Sequence, residues 1–214
     1  MKEKILELIR HNNMTIEKIQ ANTNIDYEEL NEILSELMEE QQIFLNTQKR
    51  YELLSDKYLV GVLEKTSKGS SYVTVNNEKI AIDTDSLHTA LKYDTVVIEK
   101  KYHNCGVIKG ILHRKNNKLV CEIKEWNNKL VLVPFNGNCE INLITSQELL
   151  KDYIIGDRVY INLTNESSEE NDLVVRNLTK IGHFNDQFND ELAIAISKDF
   201  DIEFSKKAME EAEK

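Results

Sequence analysis

The apolar spacing changes once along this chain, near residue 55, from a helical period to a period of two. Before the change, Ile5, Leu6, Leu8 and Ile9 sit between charges and predict an amphipathic helix over 2–10. The polar "NNM" breaks it, and Thr15 is placed to cap a second short helix with Ile16 and Ile19 inward. Asp26 caps a third helix, with Glu29 as the reciprocal partner of a capping box. Its inward face is Leu30, Ile33, Leu34, Leu37 and Met38. "IFLNTQKRYELL" then offers two strand pieces, 43–45 and 50–53, about a polar tip that holds Lys49 and Arg50. Three helices and a hairpin predict a winged helix-turn-helix over 1–55.

From Tyr58 onward "YLVGVLEKT", "SSYVTVNN", "KIAID" and "YDTVVIEKK" alternate apolar and polar residues between polar turns, with "SLHTALKYD" as a short insertion. "CGVIKGILH", "KLVCEIKEW", "KLVLVPFNG", "CEINLIT" and "DRVYINL" repeat the rhythm. "ALKYDTVVIEK" matches "YIIGDRVYINL", each an Asp followed by an alternating strand, at a repeat of about 60 residues. This predicts two small Greek-key barrels of the oligonucleotide-binding, cold-shock-like type, over 56–110 and 111–182. A polar acidic stretch, 164–172, reads as a surface loop, after which "LVVRNLTKIGH" returns as a last strand. Residues 183–214 form a helical tail. The fold class is multidomain α+β.

Charge narrows the function. The net charge is -10 over 214 residues, with -5 in 1–55, -7 in 164–214 and near balance between them. The outward face of the third helix carries Glu28, Glu29, Glu32, Glu36, Glu39 and Glu40, which phosphates repel, so reading of duplex DNA by that helix is disfavoured. No apolar run is long enough to span a membrane, and the charged N-terminus is not a secretory signal, so the cytoplasm is expected. Cys105, Cys121 and Cys139 lack paired spacing and are expected to be reduced and packed, with no zinc site.

The order winged helix, barrel, barrel, then "KIGHFNDQFNDELAIAISKDFDIEFSKKAMEEAEK" resembles the N-terminal region of ribonuclease R, in the ribonuclease II family of exoribonucleases. "MKEKILELIRHNNMTIEKI" looks like the family's opening helix-turn-helix. "ALKYDTVVIEK" and "IGDRVYINL" look like its barrel-closing "A-x-x-G-D-x-V-x-V" strands. Gly182, His183, Asn185, Asp186, Ile194, Ala195 and Ile196, then Phe204 and "MEEAE", match its linker segment. The resemblance implies 3′-to-5′ RNA hydrolysis by a downstream domain whose carboxylates hold magnesium. Those positions lie beyond Lys214, so no residue here inherits a catalytic or metal role, and the chain is expected to be inactive alone. Among Asp199, Asp201, Glu203 and the final "EEAE", no substitute metal site is expected, and Asp199 and Asp201 read as charged flanks of a helix start. The implied role is guiding single-stranded RNA, bound weakly, with the ribosome and other RNA-decay proteins as further candidate partners.

Weak binding is expected because most of the family's stacking aromatics are replaced. Each stacked base contributes about 1–3 kcal/mol. The RNA-binding candidates are Lys65, Lys68, Tyr72 and Lys79 in the first barrel, Lys124, Trp126, Lys129 and Phe135 in the second, and Lys49 and Arg50 at the wing tip. Tyr72 is either an outward platform or core. Trp126 is assigned first to packing on the barrel and second to stacking. His183 is assigned to a structural turn. His11, His88, His103 and His113 carry no signal. Two other classes stay open: a protein-interaction or regulatory module on degenerate barrels, and a winged-helix DNA-binding regulator.

Overall fold

The computed structural model describes residues 1–135, 142–163, 167–169, 172–198 and 200. Expectations placed on Cys139, most of the stretch 164–172, Asp199, Asp201, Glu203, Phe204 and the closing "MEEAE" lie outside the described residues. The chain divides into two units, one built mainly from Met1–Lys115 and the other from Asn116–Glu166 and Asp172–Lys214.

The first unit begins with helices α1 (Lys2–His11), α2 (Ile16–Thr23) and α3 (Tyr27–Glu39). Their apolar stripes meet in a core of Ile5, Ile9, Ile19, Ile25, Leu30, Leu34 and Leu37. Burying each such side chain contributes about 1.5–3 kcal/mol, which is what stabilises helices this short. Thr15 is the N-cap of α2, and Asn24 ends that helix in the left-handed region. The Asp26 carboxylate accepts from the Glu28 N–H at 3.0 Å, one position earlier than a capping box anticipates. Strands β1 (Ile43–Leu45) and β2 (Tyr51–Leu53) follow as an antiparallel hairpin pairing Ile43 with Leu53.

Strands β3 (Tyr58–Lys65), β4 (Ser71–Val75), β5 (Glu78–Ile82), β6 (Thr95–Lys100) and β7 (Cys105–His113) form a closed five-stranded barrel in the order β3-β4-β5-β7-β6. Alternate residues fill it: Leu63, Val73, Ile80, Ile82, Val96, Ile98 and Ile108, with Leu87 and Ala90 joining from the β5–β6 connection. The assignment of "CGVIKGILH" to the second set is corrected here. That segment is β7, and it closes the first barrel, so the barrel's strands run past residue 110 to His113. An alternating strand carries no mark of the sheet it joins; only its partners decide.

Strand β7 pairs with β5 only through Cys105 and Gly106. Farther along, the turn after β1 meets it: Asn46 bridges Gly110, and the Thr47 N–H donates to the Lys109 carbonyl at 3.0 Å. A Cβ on residue 110 would lie 2.4 Å from the Leu45 oxygen, so glycine is required for this approach. Phe44 points away from the helices into a cluster with Tyr58, Val97 and Leu112, its ring edge-on to Tyr58 at 5.0 Å. The hairpin is thereby fixed to the barrel wall.

The barrel's lower strand junction holds a buried ion pair. Asp94 is 1% exposed and accepts from the Leu91 and Lys115 amides. Arg114 reaches it at 2.8 Å and also donates to the Thr89 carbonyl. Burial pushes the Asp94 carboxyl up, against the pull of Arg114.

In the second unit, β8 (Lys118–Trp126), β9 (Lys129–Pro134), β11 (Asp157–Asn162) and β14 (Thr179–His183) form a sheet in the order β14-β11-β8-β9. Strand β10 (Asn142–Ile144) instead pairs in parallel with β13 (Asp172–Val174); β12, Ser167–Glu169, is grouped with the first unit. Where a second barrel was expected, the described residues give a four-stranded sheet and a separate sheet in which β10 pairs in parallel with β13. Helices α4 (Gln147–Leu150) and α5 (Asn189–Ser197) complete the unit. Ala193 and Ile196 of α5 pack on Val120, with Phe135, Tyr160, Ile181 and Leu192 around them.

Candidate nucleic-acid interface

On the first barrel, Tyr72 lies on the outer side of β4, between the buried Ser71 and Val73. Of the two alternatives, it is the outward one. Its hydroxyl donates to Glu64 at 2.9 Å, and the Lys79 ammonium lies 4.3 Å from its ring centroid. The β4–β5 hairpin places Lys79 there through a two-residue turn at Asn76 and Asn77, both with positive φ, where asparagine is the best-tolerated residue after glycine. Lys65 ends β3 and is half-buried. Lys68 is exposed in the β3–β4 turn, which closes with the Ser70 N–H on the Thr66 hydroxyl.

The Asn46 carboxamide oxygen accepts from the Gln48 and Arg50 amides, and this fixes the hairpin tip. Arg50 is exposed there, and Lys49 takes a φ of 62°. Glu52 behind them is buried by its neighbours, which opposes ionisation. Hydrogen bonds from Tyr58, Asn46 and Lys57 outweigh that and hold its carboxyl below the usual range.

In the second unit the candidates separate. Trp126 is 70% exposed at the end of β8, paired with Lys129 across a turn of two positive-φ asparagines, Asn127 and Asn128. The packing assignment for Trp126 is therefore corrected: its ring is available to a ligand. Lys124 is exposed, with Glu122 at 3.7 Å. Phe135 goes the other way. It sits in the α5 cluster with the Arg158 guanidinium 4.5 Å from its ring centroid, so it is not a free stacking platform.

Arg158 was not among the sequence candidates. It is buried on β11, donates to the Asn189 side-chain oxygen and the Asp190 carboxylate, and lies on Phe135, so it anchors the start of α5 to the sheet. An arginine in an alternating strand reads as outward, and no sequence signal marks it otherwise. His183 is a turn residue: its N–H donates to Asp186 at 2.6 Å, and its Nδ1 accepts from the Asn185 N–H. A Cβ at Gly182 would lie 2.4 Å from the Asn189 side-chain Nδ2 and 2.8 Å from the Asp186 carboxylate, so a larger residue there would displace both side chains.

The arrangement offers aromatic rings beside ammonium groups on sheet surfaces, the chemistry of base stacking and phosphate pairing. Among the described residues no group of three or more His, Cys, Asp or Glu could hold a metal. No helix among them is long and apolar enough to cross a membrane.

No family model matches the chain, and no curated protein matches it in sequence. Its fold is similar to that of solved structures. Mycoplasma genitalium RNase R, solved in complex with ribose-methylated single-stranded RNA and also in its apo form, aligns with a TM-score of 0.58 at 15% identity. The alignment covers 72% of this chain and 26% of that one. Yeast Ssd1, a pseudonuclease, aligns with a TM-score of 0.50 at 11% identity, over 81% of this chain and 27% of the other. The chain thus spans about a quarter of the length of the structures it resembles, and its α+β fold, with a closed five-stranded barrel, is similar to part of theirs.

Proposed function

We propose that the chain is a single-stranded-RNA-binding region that, in a ribonuclease R-like protein, guides RNA toward a nuclease domain. The observation that carries this is the outward Tyr72–Lys79 pair on the barrel. The barrel belongs to a fold shared with RNase R, one of whose structures holds single-stranded RNA. Residues 1–55 serve in this reading as a winged helix-turn-helix, and 183–214 as the segment leading toward the nuclease domain. Trp126 with Lys129 is a second contact point.

Affinity is low and falls steeply with salt. Tyr72 and Trp126 supply only a few kcal/mol of gross stacking, at about 1–3 kcal/mol per base, so lysine–phosphate pairing, which salt screens, carries most of the binding. Fluorescence anisotropy with a single-stranded RNA tests this. Binding that weakens as salt rises supports the reading, and no binding at low salt removes it. The purified chain with magnesium leaves oligo-A intact, because the carboxylates that the family uses are assigned to none of its residues.

A protein-interaction role is the second reading, favoured by α3 and its C-cap, where Glu28, Glu29, Glu32, Glu36, Glu39 and Glu40 are all exposed. A specific partner retained after nuclease treatment distinguishes it. Duplex-DNA regulation is the third, and the same acidic face predicts no duplex shift at low salt.

A further inference from the structure

We propose that Tyr102, in the turn between β6 and β7, is a second base-stacking residue of the first barrel, at the far end of a row that begins at Tyr72. The inference rests on the RNA-binding reading above and extends it to a residue outside the sequence candidates.

Strand register builds the row. Tyr72 of β4 pairs with Ala81 of β5, and Ala81 pairs with Cys105 of β7. Paired residues share a face, so these three side chains cross the barrel's outer surface in line. Ala81 is exposed and carries only a methyl group, which leaves an open floor between its neighbours. The row spans two inter-strand spacings, about 10 Å, room for about three nucleotides at a stacked rise of about 3.4 Å. Cys105 borders the turn, its Sγ 3.7 Å from the His103 carbonyl.

Tyr102 lies in that turn and is 89% exposed, the highest value among the large apolar or aromatic residues described. The turn beneath it is braced. His103 and Asn104 both adopt φ of 59°, and the Lys101 N–H donates to the Cys105 carbonyl at 2.7 Å. Glu78 at the start of β5 takes the Lys100 ammonium at 2.9 Å and a hydrogen bond from Asn104. Two left-handed residues and two contacts to β5 therefore hold the backbone while the ring faces solvent. A ring on a braced backbone leaves little backbone freedom to be lost when a base stacks on it. Lys101, close by, is exposed and shares Glu99 with Lys109, so positive charge borders the ring. Turns of this class of barrel also contact oligonucleotides.

The full chain is titrated with fluorescently labelled single-stranded RNA at several salt concentrations, as wild type, Tyr102→Ala and Tyr72→Ala. Tyr102→Ala is expected to weaken binding by about 5- to 150-fold, the loss of one stacked base. The dependence on salt should keep its slope, because no phosphate contact is removed. In a Trp126→Phe background, Tyr102→Trp places the sole tryptophan at the turn, and its emission should be quenched by RNA but not by inorganic polyphosphate. An unchanged melting temperature for Tyr102→Ala is expected from its exposure. If Tyr72→Ala weakens RNA and Tyr102→Ala stays within twofold of wild type, the Tyr102 assignment is overturned and the RNA-binding reading survives. If wild type binds no RNA at low salt, both fall. Loss of a nuclease-resistant protein partner on Tyr102→Ala, with RNA affinity unchanged, also overturns it.

Discussion

The two units use one pairing scheme and reach different ends. In the first, β3 lies between β4 and β6, β5 runs parallel to the start of β7, and β6 pairs antiparallel with β7. In the second, β8 lies between β9 and β11, β10 runs parallel to β13, and β11 pairs antiparallel with β14. The fifth strand makes the difference. Strand β7 is continuous, so it touches β5 with its first residues and β6 along the rest, and the barrel closes. In the second unit those two roles fall to separate strands, β13 and β14, and the described residues divide into two sheets. One strand bonded on both edges transmits register around a barrel; two short strands do not. Helix α5 then covers part of the four-stranded sheet, with Arg158 holding its first turn.

Each unit also buries an aspartate at the start of a strand, with a carboxylate oxygen on the amide three residues back: Asp94 on Leu91 and Asp157 on Ile154. Their counter-ions differ. Arg114 is 5% exposed, whereas Lys180, 2.8 Å from Asp157, is 50% exposed. Removing the first leaves a charge in a dry site, while water can replace the second.

This contrast gives the largest expected effect. Arg114→Met should cost about 3–5 kcal/mol in urea unfolding, whereas Lys180→Met should cost about 1 kcal/mol or less. Equal losses would break the contrast. Next come the hairpin turns, which the two units share. Asn77→Ala and Asn128→Ala should each cost about 1–2 kcal/mol, because alanine is strained at these positive φ values. Hydrogen exchange of the adjacent strand amides reads each unit separately, and a loss in only one unit would show that the turns are not equivalent.

The smallest effect is a pH dependence confined to the first unit. The Glu52 carboxyl is held below its ordinary value, so its stabilisation is complete above the unfolded pKa, about 4.3. It is lost as pH falls through the lower folded value. Glu52→Gln should flatten that acid limb of a melting-temperature profile, and an unchanged limb would assign it elsewhere. Burial raises Asp94, so its ionisation opposes folding as pH rises, and its contribution runs the opposite way.

Much of the site was legible before the fold. Alternation left Tyr72 open between surface and core, and the structure decided it; Lys79 and Lys129 were named as basic candidates, and the structure sets them just after the Asn76–Asn77 and Asn127–Asn128 turns. Phe135 and Trp126 were not separable in sequence, since both end an apolar strand. Phe135 met α5, and Trp126 stayed 70% exposed. Tyr102 stood in "KKYHNC", an aromatic flanked by polar residues between two strands, which is a signal for exposure but not for a braced turn.

The sequence by itself determined the local elements: where helices end, where strands alternate, which asparagines turn the chain, and that acid gathers on α3. These depend on neighbours a few residues apart, and period and turn chemistry record them. Only the tertiary structure decided that β7 closes the first barrel, that Phe44 leaves the helical core for the barrel wall, and that Arg158 is buried. Those outcomes depend on which surfaces meet across long stretches of chain, and an alternating strand or a lone arginine is compatible with more than one partner until packing selects it.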